Sequence, residues 1–107
     1  MSKIESFQNI YIVFTTESNQ ENAKLIANLL LKERLIACVT FNKIESHFWW
    51  EGEINQSKEV QLMMKCTKEK IYKVCQKIAE YHSYDIPEII YFNVSTSQKY
   101  FNWLSSV

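Results

Sequence analysis

Residues 60–79, VQLMMKCTKEKIYKVCQKIA, change their apolar period halfway along, and that change decides the fold. Over residues 60–66 every second side chain is apolar or a thiol, which predicts a β-strand with one buried face. Further along, the apolar residues recur at helical spacing, which predicts an amphipathic helix capped by Thr67. The predicted buried stripe of this helix consists of Ile71, Val74, Cys75, Ile78 and Ala79. We therefore expect a strand that leads directly into a helix packed on the same sheet.

The residues before this stretch predict a β-hairpin. Residues 35–41 are mostly β-branched or apolar, and they predict a strand that continues irregularly to Trp50. The single glycine of the chain, Gly52, predicts the hairpin turn, so the next strand runs from about residue 54 to residue 66.

The start of the chain predicts one strand and one helix. Residues 10–16 form the first predicted strand. Ser18 and Glu21 then match a capping box, which opens a helix that ends near Arg34. The buried stripe of this helix is predicted to be Ala23, Ile26, Ala27 and Leu30.

The end of the chain completes the pattern. Residues 88–95 follow the single proline, Pro87, and predict the last strand, and residues 100–104 predict a short terminal helix or strand. The order β-α-β-β-α-β is typical of an α+β, ferredoxin-like fold, in which two helices cover one face of a four-stranded antiparallel sheet. We expect residues 1–9 to be an N-terminal extension and residues 10–107 to form one domain.

Composition narrows the classes of partner. Twelve basic residues balance twelve acidic residues along the 107-residue chain, so neither nucleic acid nor a membrane surface is an expected partner. Cys38, Cys66 and Cys75 contain no CxxC pair, and an odd number of cysteines favours a reducing compartment. The N-terminus lacks an apolar signal core. From these features we expect a cytoplasmic protein.

Apolar residues on both faces of the outer strands predict a homo-oligomer. In the first predicted strand Ile10, Ile12 and Phe14 point one way, while Tyr11 and Val13 point the other way. Two helices cover only one face, and the opposite face would form a larger apolar patch than most monomers expose. Other copies of the chain are the expected cover. A cover made by the terminal segment and the hairpin of the same chain is the alternative.

Six segments resemble the CutA divalent-cation tolerance proteins in their order and spacing. They are residues 12–23 (IVFTTESNQENA), 34–39 (RLIACV), 46–52 (SHFWWEG), 59–67 (EVQLMMKCT), 82–89 (HSYDIPEI) and 100–103 (YFNW). The resemblance implies a ferredoxin-like fold and a tight trimer whose long hairpins wrap neighbouring subunits. It also implies a role in metal-ion tolerance, with divalent copper as the candidate ion and no required cofactor.

The resemblance also suggests metal ligands. Metal-site proposals for bacterial members use a cysteine at the end of the first strand and two adjacent histidines, positions that hold Thr15, Tyr81 and His82 here. His82 and Cys38 are therefore the candidate ligands of this chain. The alternatives are that His82 is bonded to nearby backbone at a helix end, and that Cys38 is a small packing residue.

Four residues are predicted to line a cleft between subunits, namely Trp50, Lys65, Tyr84 and Glu88. Such a cleft suggests an alternative function as a small-molecule sensor or signalling scaffold that resembles the PII proteins in architecture. Simple packing of Trp50 and Tyr84 in a subunit interface is the competing interpretation. Glu88 has a structural alternative, which is pairing with Lys65 across strands or with backbone N–H groups.

The remaining polar patterns give weaker predictions. Glu45 and His47 share one face of a strand and would bind a soft cation weakly, or simply be solvated. His82, Asp85 and Glu88 are spaced by three, but Pro87 interrupts any helix there, so they make a poor acid–base set. The sequence contains no serine triad, phosphate-binding glycine loop or HExxH motif. We therefore expect a protein that is not an enzyme.

Overall fold

Four strands form one antiparallel sheet in the computed structural model, which describes residues 6–107. The strands are β1 (Phe7–Glu17), β2 (Cys38–Trp50), β3 (Glu53–Cys66) and β4 (Ile90–Ser97), and the helices are α1 (Gln20–Lys32), α2 (Ile71–Tyr81) and α3 (Gln98–Ser105). The order across the sheet is β2-β3-β1-β4, which confirms the ferredoxin-like α+β prediction. β1 begins at Phe7, three residues before the predicted strand.

The core lies between one face of the sheet and the helices α1 and α2. Val13 of β1 pairs with Met64 of β3, and both side chains are completely buried. The apolar stripe of α1 packs there as predicted, with Ala23, Ile26, Ala27 and Leu30 buried. Because each large apolar side chain contributes roughly 1.5–3 kcal/mol on burial, this face supplies most of the stability of the fold.

Helix α1 begins differently from the prediction. The N-cap is Asn19, whose Oδ1 accepts a hydrogen bond from the Asn22 N–H at 2.8 Å. Ser18 instead accepts from Asn22 Nδ2 at 3.0 Å, so the predicted capping box of Ser18 and Glu21 is wrong. The helix ends at Lys32, and Arg34 takes a positive φ of 57° just beyond it.

Helix α2 begins at Ile71, and Thr67 does not cap it. The Thr67 carbonyl accepts the Lys70 N–H at 3.1 Å in a tight turn, which delays the helix. Ile71, Val74 and Ile78 are buried as predicted. Ala79 is exposed, which corrects that part of the stripe, and Cys75 is only half-buried. α2 therefore meets the core along a narrower stripe than predicted.

The hairpin of β2 and β3 is regular along its whole length. Every residue from Cys38 to Trp50 has a partner on β3, so the predicted irregular continuation is wrong. Residues 35–37 form a loop instead of the predicted start of the strand. The turn has two residues, Glu51 at φ 52° and Gly52 at φ 78°, and this mirror-image geometry matches the twist of the two strands.

The second face of the sheet is only partly covered. Ile12 and Lys65 lie on this face because their chain neighbours Val13 and Met64 point into the core. Phe92 lies on the same face because it pairs with Ile12. The terminal segment forms helix α3, which packs against β1 and β4, and Ile10 and Leu104 are buried there. Beyond α3, Ile90 and Phe92 remain 44% and 49% exposed. The chain's own terminal segment therefore covers one end of the face and leaves an apolar area open.

Candidate functional site

Buried polar groups join the loop after α2 to the end of β1. His82 follows the last turn of α2, and its side chain is completely buried. Its Nε2 lies 2.6 Å from the Thr16 carbonyl oxygen, and its Nδ1 lies 3.0 Å from the Tyr84 N–H nitrogen. A carbonyl can only accept and an N–H can only donate, so Nε2 donates to Thr16 and Nδ1 accepts from Tyr84. Both ring nitrogens are occupied by the protein's own backbone.

Glu17 is the buried carboxylate of this cluster, and its side chain is only 1% exposed. It accepts hydrogen bonds from the Ser18 N–H and the Ser83 N–H, both at 2.9 Å, and from the Ser83 hydroxyl. Burial alone raises the pKa of Glu17, but the hydrogen bonds from the Ser83 hydroxyl, the Ser83 N–H and the Ser18 N–H outweigh burial and hold the pKa below its ordinary value. Glu17 is therefore an anion stabilised mainly by hydrogen bonds.

Sequence reasoning missed the role of Glu17. Its partner Ser83 is 66 residues away, so no local spacing connects them. The one available signal was a carboxylate directly after an apolar strand, at a position where the chain must turn into a helix.

Tyr84 connects the loop after α2 to strand β3. Its hydroxyl donates to Glu59 at 2.6 Å, and Glu59 is a mostly buried residue of β3. Burial and the hydrogen bond to Glu59 raise the pKa of Tyr84 well above its ordinary value. Within one chain, Tyr84 therefore anchors the loop to the sheet.

The predicted cleft residues do not meet within one chain. Trp50, half-exposed, lies at the hairpin tip opposite Glu53, whereas Lys65 lies twelve residues further along β3. Twelve strand residues span roughly 40 Å. Glu88 is exposed in the loop before β4, and β1 lies between β4 and β3, so the suggested pairing of Glu88 with Lys65 across strands is wrong. Trp50 and Lys65 can therefore lie close together only if they come from different copies of the chain.

The two predicted metal ligands also lie apart. His82 contacts Thr16, whose partner on β3 is Gln61, whereas the partner of Cys38 is Lys65. Four residues along β3 separate these points by about 13 Å. Residues 6–107 contain no group of three or more His, Cys, Asp or Glu side chains placed to hold a metal ion. The residues of a single chain therefore do not fit a site built on His82 and Cys38.

The remaining candidate residues are either exposed to solvent or packed in the core. Glu45 and His47 do share a face, with 3.0 Å between Oε2 and Nε2, and both are exposed. Thr15, at the cysteine position of the resembling family, is buried and its hydroxyl has no hydrogen-bond partner in the described part of the chain. Burial raises the pKa of Cys66 to about 12 and also raises the pKa of Cys75. These two thiols pack as small apolar groups, Cys66 within the core and Cys75 against its edge.

Comparison with known proteins gives a consistent assignment. The family model for the CutA1 divalent ion tolerance protein matches residues 11–107. The divalent-cation tolerance protein CutA of Pyrococcus horikoshii is 38% identical over 94 residues, which are 87% of this chain and 92% of that protein. Its crystal structure superposes with a TM-score of 0.87 at 36% identity, covering 90% of this chain and 95% of that one.

Two further relatives correct the expected compartment. The periplasmic divalent cation tolerance protein CutA from Archaeoglobus fulgidus has a TM-score of 0.88 at 31% identity, with 91% of this chain and 96% of that one covered. The chloroplastic protein CutA 1 of rice is 32% identical over 97 residues, which are 89% of this chain and 55% of that protein. Relatives from such compartments overturn the cytoplasmic assignment, because balanced charge and unpaired cysteines do not specify a location.

The helices do not indicate a membrane span. None of those within residues 6–107 is both long and apolar enough to cross a bilayer. The fold, the matched length and the relatives agree, and the chain belongs to the CutA1 divalent ion tolerance protein family.

Proposed function

We propose that this chain acts as a homotrimer in tolerance to divalent metal ions, with divalent copper as a weakly bound ion. The observation that carries the proposal is the family match over residues 11–107, with relatives named for divalent-cation tolerance. The partly uncovered second face of the sheet supports an oligomer, because Ile90 and Phe92 are adjacent on this face and both are about half-exposed. A second copy would bury this apolar area. The proposal includes no catalysed reaction.

Copper binding needs ligands that one chain does not gather at His82. For this residue to act as a ligand, its ring would have to leave Thr16 or Tyr84, which costs a buried hydrogen bond. The exposed pair of Glu45 and His47 offers one nitrogen and one oxygen ligand without such a cost. Weak binding at this pair, completed by water or by another copy, fits the structure better than a buried site.

Calorimetric titration of Cu²⁺ and Zn²⁺ tests the proposal. We expect weak Cu²⁺ binding to the wild-type protein, with loss of most of the heat in His47→Ala and little change in Cys38→Ala. His82→Ala separates the two sites, because loss of binding there and not in His47→Ala would move the site to His82. Absence of saturable heat with either ion in the wild-type protein would overturn the copper part of the proposal.

A second candidate function is a trimeric small-molecule sensor or scaffold with ligand clefts between subunits. Because Trp50 and Lys65 lie at opposite ends of the hairpin, a cleft lined by both would have to be formed by different copies of the chain. Tyr84 and Glu88 are the other proposed lining residues. Native mass spectrometry of the purified oligomer tests this function. We expect a retained small molecule that Trp50→Ala and Lys65→Met both release, and a wild-type oligomer without one would contradict the idea.

A further inference from the structure

Basic residues are concentrated at one corner of the helix layer, where the end of α1 meets the start of α2. This basic corner comprises residues 32–34 and 68–77. It holds six of the twelve basic residues and two of the twelve acidic residues, which gives it a formal net charge of +4. The rest of the chain holds six basic and ten acidic residues, which gives −4. The chain is neutral as a whole, but its charge is polarised between these two regions.

Two contacts hold the two segments of the basic corner together. Lys70 Nζ donates to the Arg34 carbonyl at 2.6 Å, and Lys77 Nζ lies 3.8 Å from a carboxylate oxygen of Glu33. The segments are more than thirty residues apart in sequence, so the fold brings their charges to one place on the surface.

Most cations of the basic corner lack an anionic partner. Glu33 pairs with Lys77, and Lys70 is bound to two carbonyl oxygens. The other four are exposed, and among residues 6–107 none has a carboxylate within 4 Å of its side-chain nitrogens: Lys32, Arg34, Lys68 and Lys73. Glu69 is the one acidic residue left in the corner to offset them. Like charges held this close repel one another, so an anionic partner would stabilise this surface.

The basic corner faces away from the proposed contact between copies. Lys32 of α1 and Lys73 of α2 are exposed, whereas the buried stripes of both helices point into the core. The open apolar area of Ile90 and Phe92 lies on the second face of the sheet, on the other side of the core. Assembly through that face would therefore leave the basic corner accessible on every copy.

The size of the basic corner favours a short partner. Lys70 and Lys77 are seven residues apart along α2, which is roughly 10 Å, and three or four residues of an extended peptide span that distance. A nucleic-acid duplex or an anionic bilayer is a much larger polyanion, and the net negative remainder of the chain would repel it. A short acidic segment meets the basic corner alone.

We propose that the basic corner binds an acidic, unfolded segment of a partner protein. The carboxylates of that segment would accept hydrogen bonds from the four exposed cations, Lys32, Arg34, Lys68 and Lys73. The inference goes beyond metal tolerance, and it shares no residue with the Glu45–His47 pair or with the proposed inter-subunit cleft.

Fluorescence anisotropy of a labelled twelve-residue peptide that alternates aspartate with serine tests the proposal on the purified protein. We expect saturable binding in about 100 mM salt, which weakens as salt rises, and none for the peptide with asparagine in place of aspartate. The double variant Lys68→Glu and Lys73→Glu should weaken binding about ten-fold or more, because two attractive charges become repulsive. Both residues are exposed, so the circular dichroism spectrum should stay unchanged.

The double variant Lys43→Glu and Lys58→Glu is the matched control. It changes the net charge by the same amount, but at exposed positions of the hairpin. Lys43 pairs with Val60, six residues before the end of β3, so roughly 20 Å separates it from the basic corner, twice the screening length of about 10 Å. The control should bind the peptide within about two-fold of wild type. An equal loss in both double variants would reduce the effect to overall charge and overturn the proposal.

A short DNA duplex and vesicles that contain phosphatidylserine distinguish the other anionic partners. At equal salt we expect both to bind more weakly than the aspartate peptide. Tighter binding of either one, abolished by Lys68→Glu and Lys73→Glu, would overturn the assignment to an acidic segment. The absence of saturable peptide binding to the wild-type protein would overturn the basic corner as an interaction surface.

Discussion

Glu17 sets the electrostatics of this molecule at the scale of single residues. It is a buried carboxylate whose charge is stabilised by hydrogen bonds from Ser18 and Ser83, and the ring of His82 lies beside it. Buried charges are stable only when such donors surround them. The arrangement fastens the loop after α2 to the end of β1, so the stability of that loop depends on the ionised form of Glu17.

Replacing Glu17 should destabilise the protein and change its pH dependence. Glu17→Gln places amide hydrogens against N–H donors, and we expect a loss of about 2 kcal/mol in the free energy of unfolding at pH 7. Because folding lowers the pKa of Glu17, its contribution is complete above the unfolded value of 4.5 and is lost as pH falls through the lower folded pKa. Urea unfolding at pH 7 and pH 3 measures the loss of unfolding free energy and its dependence on pH.

The variant should be less sensitive to acid than the wild-type protein over this window. Glu21→Gln, an exposed carboxylate in the first turn of α1, is the matched control and should keep the wild-type acid response. An equal loss of stability for wild type and Glu17→Gln between the two pH values would contradict the assigned role.

Lys70 makes a second long-range connection at this scale. Its Nζ donates to the Arg34 carbonyl at 2.6 Å and to the Val107 carbonyl at 2.9 Å, and so joins the end of α1 to the end of the chain. Lys70→Met should cost about 1 kcal/mol, because it removes two hydrogen bonds from a charged donor, one of them partly buried. Thermal unfolding followed by circular dichroism measures this cost. Lys68→Met, which is exposed nearby, should change stability by less than about 0.5 kcal/mol.

At the scale of elements, the sequence predicted the type and order of each strand and helix better than their starting points. The strand over residues 60–66 and the helix stripe of Ile71, Val74 and Ile78 were predictable because burial imposes a period on them. Helix starts were not, because Ser18 and Asn19 are both good caps. The choice between them follows from Glu17, which takes the Ser18 N–H.

The candidate site was less predictable than the fold. His82 was predicted as a residue at the end of α2, but its hydrogen bond to Thr16 depends on a tertiary contact between the end of α2 and β1. Glu59 and Ser83 gave no local signal, because their partners lie 25 and 66 residues away. Periodicity predicts which face is buried, but it does not predict which polar groups meet across that face.

The turn of the hairpin offers a test at the scale of elements. Glu51 adopts a positive φ that costs a side-chain residue roughly 1–2 kcal/mol, whereas asparagine tolerates it better. Glu51→Asn should therefore stabilise the protein by about 0.5–1 kcal/mol. Gly52→Ala should destabilise it by about 1 kcal/mol through backbone strain alone, because nothing lies within 4 Å of the added methyl group. Opposite shifts in the midpoint of urea unfolding would support this, and shifts of the same sign would contradict it.

The whole molecule is elongated, with extents of 54 × 29 × 20 Å, because the hairpin of β2 and β3 is long and regular. α3 covers only one end of the second face, so a monomer would expose Ile90 and Phe92. Hydrophobic burial between copies is the physical reason to expect an oligomer.

Placing a charge on this open area should dissociate the proposed trimer. Phe92→Glu would bury an unpaired carboxylate between copies, whereas Tyr72→Glu changes an exposed residue of α2 on the other side of the molecule. Light scattering should give three times the 12.8 kDa chain mass for the wild-type protein and for Tyr72→Glu, and one chain mass for Phe92→Glu. A wild-type protein that scatters as a single chain at micromolar concentration would contradict the trimer.

The pairing of β1 with β4 has a consequence for the order of folding. Phe7 pairs with Ser97, so this joint closes a loop of 90 residues, whereas the β2–β3 hairpin starts from a two-residue turn. Loop-closure entropy makes the distant joint the slower one to form. Side-chain truncations in the hairpin, such as Phe41→Leu, should therefore slow folding, and truncations in β4, such as Val94→Ala, should mainly speed unfolding. Stopped-flow kinetics would then show that the central hairpin forms before the rate-limiting step and that the two ends of the chain pair after it.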